Sequence, residues 1–221
     1  MVNFQPASTN EIVRLKIYRQ YRLLARLRHQ RPDLRLALSH GMQSLQTLLA
    51  SLMSGADDLA SLRGKEGAAA AAYFQAFTQV FAPALGFNNR NRRPPLDPVN
   101  ACLSLSYTLF YQEAVNALKI SGLDPALGCY HELYGQRDSL ACDILEPIRP
   151  LIDAWVYRLF QGHLLRREDF NFANDACLLH ASGKTRFYEA FRGCVPAYRR
   201  LLRRYAQLAA DVVCQPEHAC G

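Results

Sequence analysis

Residues 97–121, DPVNACLSLSYTLFYQEAVNALKIS, carry a helical pattern that is apolar on most of its faces. Such a helix cannot rest on a surface with one side wet. Other elements must surround it, which makes it the expected central helix. Hydrophobic residues make up 50% of the 221-residue chain, enough for one sizeable core. The elements available to wrap it are helical as well. Ser8 followed by Glu11 reads as a capping box opening the amphipathic run IVRLKIYRQYRLLARLR; Pro32 interrupts it, and LRLALSHGMQSLQTLLASLM continues as a second helix that Gly55 ends. DDLASLR is a short helix, Gly64 a turn, and the alanine-rich stretch after it a helix closing before Pro83. GFNNRNRRPPLDP, residues 86–98, is a loop by composition. Beyond the central helix and its cap at Gly122 come a structured loop, LDPALGCYHELYG, and a helix predicted from Asp138 or Ser139 to about His163. A short extended or turn region and two terminal helices follow. Strand patterns are nearly absent, so the predicted fold is all-α without internal repeats. It comprises a tail over 1–9, one helical domain over 10–210 and a disordered tail over 211–221.

Charge narrows the function. Lys and Arg number 26 against 19 Asp and Glu, a formal net charge of +7, and the excess is clustered. Between Arg14 and Arg35 eight basic residues, Lys16 among them, stand against one acid, Asp33; NRNRR covers 89–93, and Arg199, Arg200, Arg203 and Arg204 crowd together. Clustered arginine is the footprint of a polyanion, here nucleic acid, because a guanidinium fork donates two hydrogen bonds to one phosphate. A merely solubilising surface is the plainer alternative. The seven cysteines are odd in number and irregular in spacing, which points to a reducing compartment and to small buried hydrophobes rather than disulfides. The tail CQPEHACG lacks a paired CxxC knuckle and carries little zinc signal. With no signal peptide at the front and no apolar run long enough to cross a bilayer, the expected location is the cytoplasm.

A set of acidic and imidazole side chains stands out against this basic background. Asp143 and Glu146 are three apart in SLACDILEP, which puts both carboxylates on one helix face. Pro147 has no N–H for the carbonyl of Asp143, so the backbone is loosened where the carboxylates sit. His131, from the preceding loop, can fold back over that helix start. Glu66 lies between Gly64 and Gly67 at the head of the alanine-rich stretch, where little bulk would obstruct a large ligand. Carboxylates with one imidazole form an open site for Mg²⁺ or Mn²⁺, leaving positions for phosphate oxygens. Taken singly, each residue has an ordinary alternative: a dipole partner or cap for the carboxylates, a satisfied half-buried side chain for the histidine. Other motifs fail on inspection. HELYG is not a zinc-protease HExxH because residue 135 is Gly, and SGKT at 182–185 is not a phosphate loop because residue 178 is Leu. No serine nucleophile elbow or dinucleotide fingerprint is found.

Four blocks in order, LRGKEG, NRRPPLDPVNACLSLSY, GLDPALGCYHE and SLACDILEPIRPLID, strongly resemble the CRISPR adaptation integrases, the Cas-one family, and GKTRFYEAF resembles that family's late helix. The resemblance covers about residues 10–205 and is densest from 60 to 160. It implies that Glu66, His131 and Glu146 hold a divalent metal, Mg²⁺ or Mn²⁺, with Asp143 as a nearby acidic accessory. It also implies a DNA integrase that joins the 3′-hydroxyl ends of short DNA fragments to the CRISPR repeat beside the leader by transesterification. The same site can run backwards, as disintegration or endonuclease cleavage of branched DNA. No covalent enzyme intermediate is needed, which agrees with the missing nucleophile motif. Duplex backbone would then be bound by Arg19, Arg22 and Arg26, by Arg90, Arg92 and Arg93, and by Arg199, Arg200 and Arg203, with Lys65 adding a contact at a position often apolar in relatives.

One departure is large. Typical members carry an N-terminal β-rich domain ahead of the helical one, and here the first helix pattern begins near residue 10. Under the resemblance the chain is a naturally compact integrase, a split gene product or an excised domain. A homodimer or higher homo-oligomer follows from two joining events at spaced positions, and a Cas-two-like partner from the family's usual assembly. The alternative of another class is a non-catalytic DNA-binding or assembly subunit that needs a partner chain for activity.

Overall fold

A computed structural model of the chain describes residues 6–53, 57–91, 93–128, 130, 138–173 and 175–213. Seven α-helices are found among them: α1 (Pro6–Gln30), α2 (Arg35–Met53), α3 (Leu59–Phe77), α4 (Pro98–Ile120), α5 (Ser139–Leu145), α6 (Arg149–Gln161) and α7 (Ala181–Val213). One antiparallel hairpin, β1 (Phe170–Ala173) with β2 (Ala176–Leu179), pairs Phe170 with Leu179 and Ala173 with Ala176. The fold is therefore all-α apart from this hairpin. No helix is long and apolar enough to cross a membrane among the described residues.

The helices form two packed groups. α1, α2 and α3 pack on one another, and α4 packs on α5, α6 and α7. α1 also touches α6 and the short 3₁₀ turn Glu146–Ile148, so a seam runs between the groups along α1. The central helix is α4, as its pattern predicts. Asp97 caps it by accepting the Asn100 N–H at 2.8 Å, Pro98 occupies its first turn, and Leu103, Phe110 and Leu118 are wholly buried.

Four local predictions are corrected. α1 begins at Pro6 rather than at Ser8, and Glu11 pairs with Arg14 one turn on. Gly64 makes no turn: α3 runs unbroken from Leu59 to Phe77, capped by Asp58, which accepts the Ser61 N–H at 2.7 Å. A lone exposed glycine weakens a helix by only about 1 kcal/mol, less than the flanking packing supplies. The helix predicted from residue 139 to His163 is broken into α5, the 3₁₀ turn Glu146–Ile148 and α6. Pro147 and Pro150 there each remove one helical N–H. The two terminal helices are one, α7, which passes through Pro196. Phe191 and Tyr198, on either side of the proline, both pack on Phe110 of α4 at 5.1 and 4.5 Å between ring centres, and the Tyr198 hydroxyl donates to the Leu151 carbonyl at 2.8 Å.

The break at Pro32 is a single 3₁₀ turn, Pro32–Leu34. Cys102, Cys142 and Cys177 are buried, as small hydrophobes would be, and Cys194 is half-buried. Gly55, Arg92, Cys129, His131 and the tail 214–221 lie outside the described residues.

Two helical glycines should respond oppositely to alanine. A Cβ on Gly41 would meet the Ala76 Cβ at 2.6 Å and Leu24 Cδ1 at 3.2 Å, whereas one on Gly64 would meet nothing within 4 Å. Gly41→Ala should lower unfolding free energy by about 1–3 kcal/mol through overpacking where α1, α2 and α3 meet. Gly64→Ala should raise it by about 0.5–1 kcal/mol. Urea denaturation midpoints of the two variants check the sign.

Candidate functional site

The candidate centre lies on the seam. α3 supplies Glu66, the 3₁₀ turn supplies Glu146, and α1 supplies Lys16, whose ammonium sits between the two carboxylates. Lys16 Nζ contacts Glu66 Oε1 in a short ion pair and Glu146 Oε2 at 2.6 Å. All three are largely withdrawn from solvent: the side chains of Lys16, Glu66 and Glu146 are 11%, 19% and 5% exposed. Burial alone would discharge a lysine. The pull of Glu146 and then of Glu66 outweighs it and raises the Lys16 pKa, so the ammonium stays charged.

The second oxygen of each carboxylate is held from the other side. Glu146 Oε1 pairs with Arg149 Nε at 2.8 Å, and Glu66 Oε2 accepts a short hydrogen bond from the Tyr130 hydroxyl. Burial and the contact with Glu66 push the Tyr130 phenol up, which keeps it a neutral donor. Asp143 plays a different part. It is wholly buried, and its Oδ2 accepts the Tyr130 backbone N–H at 3.1 Å. Gly128 lets the incoming loop press on the start of α5, because a Cβ there would lie 2.5 Å from Leu140 N. Its own N–H donates to Ser139 Oγ at 2.8 Å, and Leu140 N–H donates to the Pro125 carbonyl at 2.9 Å. The chain is thus fixed at Tyr130, one residue before His131, over the two carboxylates.

Behind Glu146 a buried polar network continues. The Arg149 guanidinium lies over the Tyr107 ring at 4.7 Å, and that of Arg90 over the same ring at 5.5 Å. Tyr107 donates a short hydrogen bond to Asp153 Oδ1, and Tyr73 donates to Oδ2 at 2.8 Å. Burial pushes the Asp153 carboxyl up to about 6, against the opposing pull of the two phenols.

The predicted residues distribute unevenly. Glu66 and Glu146 meet at one cation position, and Asp143 supports Tyr130. No third His, Cys, Asp or Glu joins the pair among the described residues. The donor set nonetheless suits a hard divalent cation: two carboxylate oxygens from separate elements already surround one buried positive charge. Among the basic residues, Arg19 points inward. It donates to the Pro147 carbonyl at 2.9 Å and to the Tyr205 hydroxyl at 2.6 Å. Lys65 donates to both Asp57 oxygens at 2.7 Å and to the Ser51 carbonyl at 3.1 Å. Arg90 braces the loop against Asn100 and Ser104, and Arg199 forms a two-pronged pair with Glu113 at 2.6 and 2.7 Å. Arg22, Arg26, Arg93, Arg200 and Arg203 are exposed.

Sequence reasoning misses Lys16, Tyr130, Arg149 and the Asp153 network. One signal for Lys16 is present: positions 13, 16, 17, 20 and 24 make one buried stripe of α1, so the lone lysine in an arginine run sits on the apolar face.

Fold and site together define an all-α domain with a paired-carboxylate cation centre on an interhelical seam. The family profile described as "CRISPR associated protein Cas1" matches residues 4–193, and the chain belongs to that family. It is 35% identical over 199 residues to a CRISPR-associated endonuclease Cas1 of Thermodesulfovibrio yellowstonii, covering 89% of this chain and 63% of that one. It is 41% identical over 161 residues to a CRISPR-associated exonuclease Cas4/endonuclease Cas1 fusion of Rhodospirillum rubrum, covering 70% and 27%. The chain therefore spans less than two thirds of the length of either relative. Among solved structures, a chain of a Cas6-RT-Cas1–Cas2 complex superposes with a TM-score of 0.81 at 26% identity, covering 94% of this chain and 24% of that one. A casposase bound to integration product shares the fold, with a TM-score of 0.78 at 20% identity over 94% of this chain and 60% of that one.

The buried carboxyl gives a pH prediction. With its folded pKa near 6 and the unfolded value near 3.8, Asp153 contributes stability that is fully present below the unfolded value and lost as pH rises through about 6. The stability of Asp153→Asn relative to the native chain should therefore increase between pH 4 and 7 by on the order of 2–3 kcal/mol. Denaturant melts at several pH values read this directly.

Proposed function

We propose that the chain is the catalytic part of a divalent-metal-dependent DNA integrase of CRISPR adaptation, joining 3′-hydroxyl ends of short DNA fragments into the CRISPR repeat by transesterification. The observation that carries this reading is the convergence of Glu66 Oε1 and Glu146 Oε2 on one buried cationic atom, Lys16 Nζ, in a chain of the Cas1 family. Two relatives are named endonucleases, and one structural neighbour is named for its integration product.

Glu66, Glu146 and His131 are the residues that would hold Mg²⁺ or Mn²⁺. Bound there, the cation would supply Lewis acidity toward a phosphate oxygen and toward the attacking hydroxyl. The chain's own residues prepare that position. Tyr130 orients Glu66, Arg149 orients Glu146, and Arg19 ties the Glu146 turn to α1 and α7 through the Pro147 carbonyl and the Tyr205 hydroxyl. Arg149 also leaves a fixed positive charge beside the carboxylates, suited to the charge that develops on a phosphate in transfer. The exposed Arg22, Arg26, Arg93, Arg200 and Arg203 would hold the duplex backbone without reading bases, joined by Arg92 and, when their present partners yield, by Lys65, Arg90 and Arg199. Double-stranded DNA, both as donor fragment and as leader–repeat target, is thus the proposed substrate. Pairing of two copies would bring two sites to two strands. The neighbour named for a Cas1–Cas2 complex supports a partner of the Cas2 kind.

Strand joining tests this. A short labelled duplex and a supercoiled leader–repeat plasmid are mixed with the purified chain and Mn²⁺, Mg²⁺ or chelator. Joining should need the metal. Glu66→Ala, His131→Ala and Glu146→Ala should each reduce it by at least about 100-fold, while DNA affinity and its salt dependence stay unchanged. Salt-sensitive DNA binding without joining by the unaltered chain would overturn the catalytic reading in favour of an assembly subunit that needs a partner chain.

A further inference from the structure

The ammonium of Lys16 occupies the place that a metal ion would need. Each glutamate directs one oxygen to a fixed partner and the other to this lysine: Oε2 of Glu66 to Tyr130 and Oε1 to Lys16, Oε1 of Glu146 to Arg149 and Oε2 to Lys16. The two oxygens that face the same point are the two that Lys16 bridges. We infer that Lys16 is the resident counter-ion of this centre: its side chain holds the metal position in the metal-free protein, keeps the carboxylates aimed inward, and is released when a divalent cation binds. This rests on the reading of Glu66 and Glu146 as metal ligands.

Three features argue for release of a side chain rather than movement of a helix. Arg19, one turn along α1, is bonded to the Pro147 carbonyl beside Glu146, so the helix is pinned to the turn it faces. Val13 and Ile17 flank Lys16 on the same buried stripe, at 1% and 0% exposure, and anchor α1 further. A lysine differs from the surrounding arginines in carrying a compact charge on a flexible stem, which can swing away as one group; a planar guanidinium in this gap would have to break several bonds at once.

Charge balance gives the arrangement its purpose. The formal charges of Glu66, Glu146, Lys16 and Arg149 cancel, so the metal-free centre leaves no uncompensated buried carboxylate. With a divalent cation added and the ammonium displaced but still tethered nearby, the centre becomes net positive and favours a phosphate. Metal and phosphate binding then favour each other at this centre.

The competition is measurable without catalysis. Calorimetric titration of the metal-free chain with Mn²⁺ at fixed pH and ionic strength should give at least about 10-fold tighter binding for Lys16→Met than for the native chain, because the carboxylates are no longer occupied by the lysine. Equal or weaker binding by a folded Lys16→Met would overturn the inference. A second measurement uses the native chain alone: acylation of Lys16, followed by mass spectrometry, should accelerate several-fold when Mn²⁺ is added, and an unchanged rate would overturn the inference even if Lys16→Met fails to fold. Adding Glu146→Gln to Lys16→Met separates the two readings. Loss of Mn²⁺ binding keeps the carboxylates as ligands, whichever way the Lys16 measurements fall. Retention of full affinity removes the metal site, and the role of Lys16 with it.

Discussion

The structure turns on charges buried together where α1, α3 and the Glu146 turn meet. Moving an ion out of water costs several kcal/mol even after relaxation, and removing one partner of a buried pair leaves that cost uncompensated. Lys16, Glu66, Glu146 and Arg149 meet this constraint only as a set, each supplying the opposite charge that another needs. The set spans elements far apart in sequence. It therefore also fixes how the first three helices sit against the second group, along a seam that apolar packing alone would define less sharply.

The supports around this set are chosen for rigidity. The Glu146 turn has two prolines within five residues, which limits its backbone, and its Pro147 carbonyl is satisfied from outside by Arg19. Arg149 is half-buried, its side chain 18% exposed; withdrawal from water alone would lower its pKa, but Glu146 and its neighbours hold it above its usual value, so its charge is permanent. Its guanidinium rests on Tyr107, whose hydroxyl reaches Asp153. A displacement of Asp153 is thus felt at Glu146 through two side chains, which links the interior of α6 to the carboxylate pair.

Much of this fold is legible in the sequence, and the failures have physical causes. The central helix announces itself because a segment apolar all round has one destination. Gly64 and Pro196 look like breaks because each weakens a helix locally, yet open space around Gly64 and the aromatic packing of Phe191 and Tyr198 around Pro196 decide otherwise. The hairpin does not register as strands because each strand is only four residues long: β1 buries only Phe170, and in β2 the exposed Leu178 is as apolar as its buried neighbours Cys177 and Leu179, so the residue types do not alternate. In the site, Glu66, Asp143 and Glu146 are visible as acids against a basic, apolar background. Lys16 and Arg149 are not, because one more cation in an arginine-rich chain carries no contrast. Only the helical register of α1 separates the inward Lys16 from outward arginines such as Arg22 and Arg26.

Bonded partners and exposure also sort the basic residues by what they can do for a polyanion. Arg19, Lys65, Arg90 and Arg199 are bonded to carbonyls, hydroxyls or carboxylates of the chain itself, so a phosphate would have to compete with partners already in place. Arg22, Arg26, Arg200 and Arg203 are exposed, Arg22 and Arg26 on the outer side of α1 and Arg200 and Arg203 on that of α7. Tyr205 of α7 joins these two helices to the carboxylate turn through Arg19, which lies over its ring at 5.5 Å. A phosphate backbone held by the exposed arginines would rest on the same two helices that Arg19 clamps to Glu146. The basic surface and the buried centre are mechanically one unit, and the inward arginine is what makes them so.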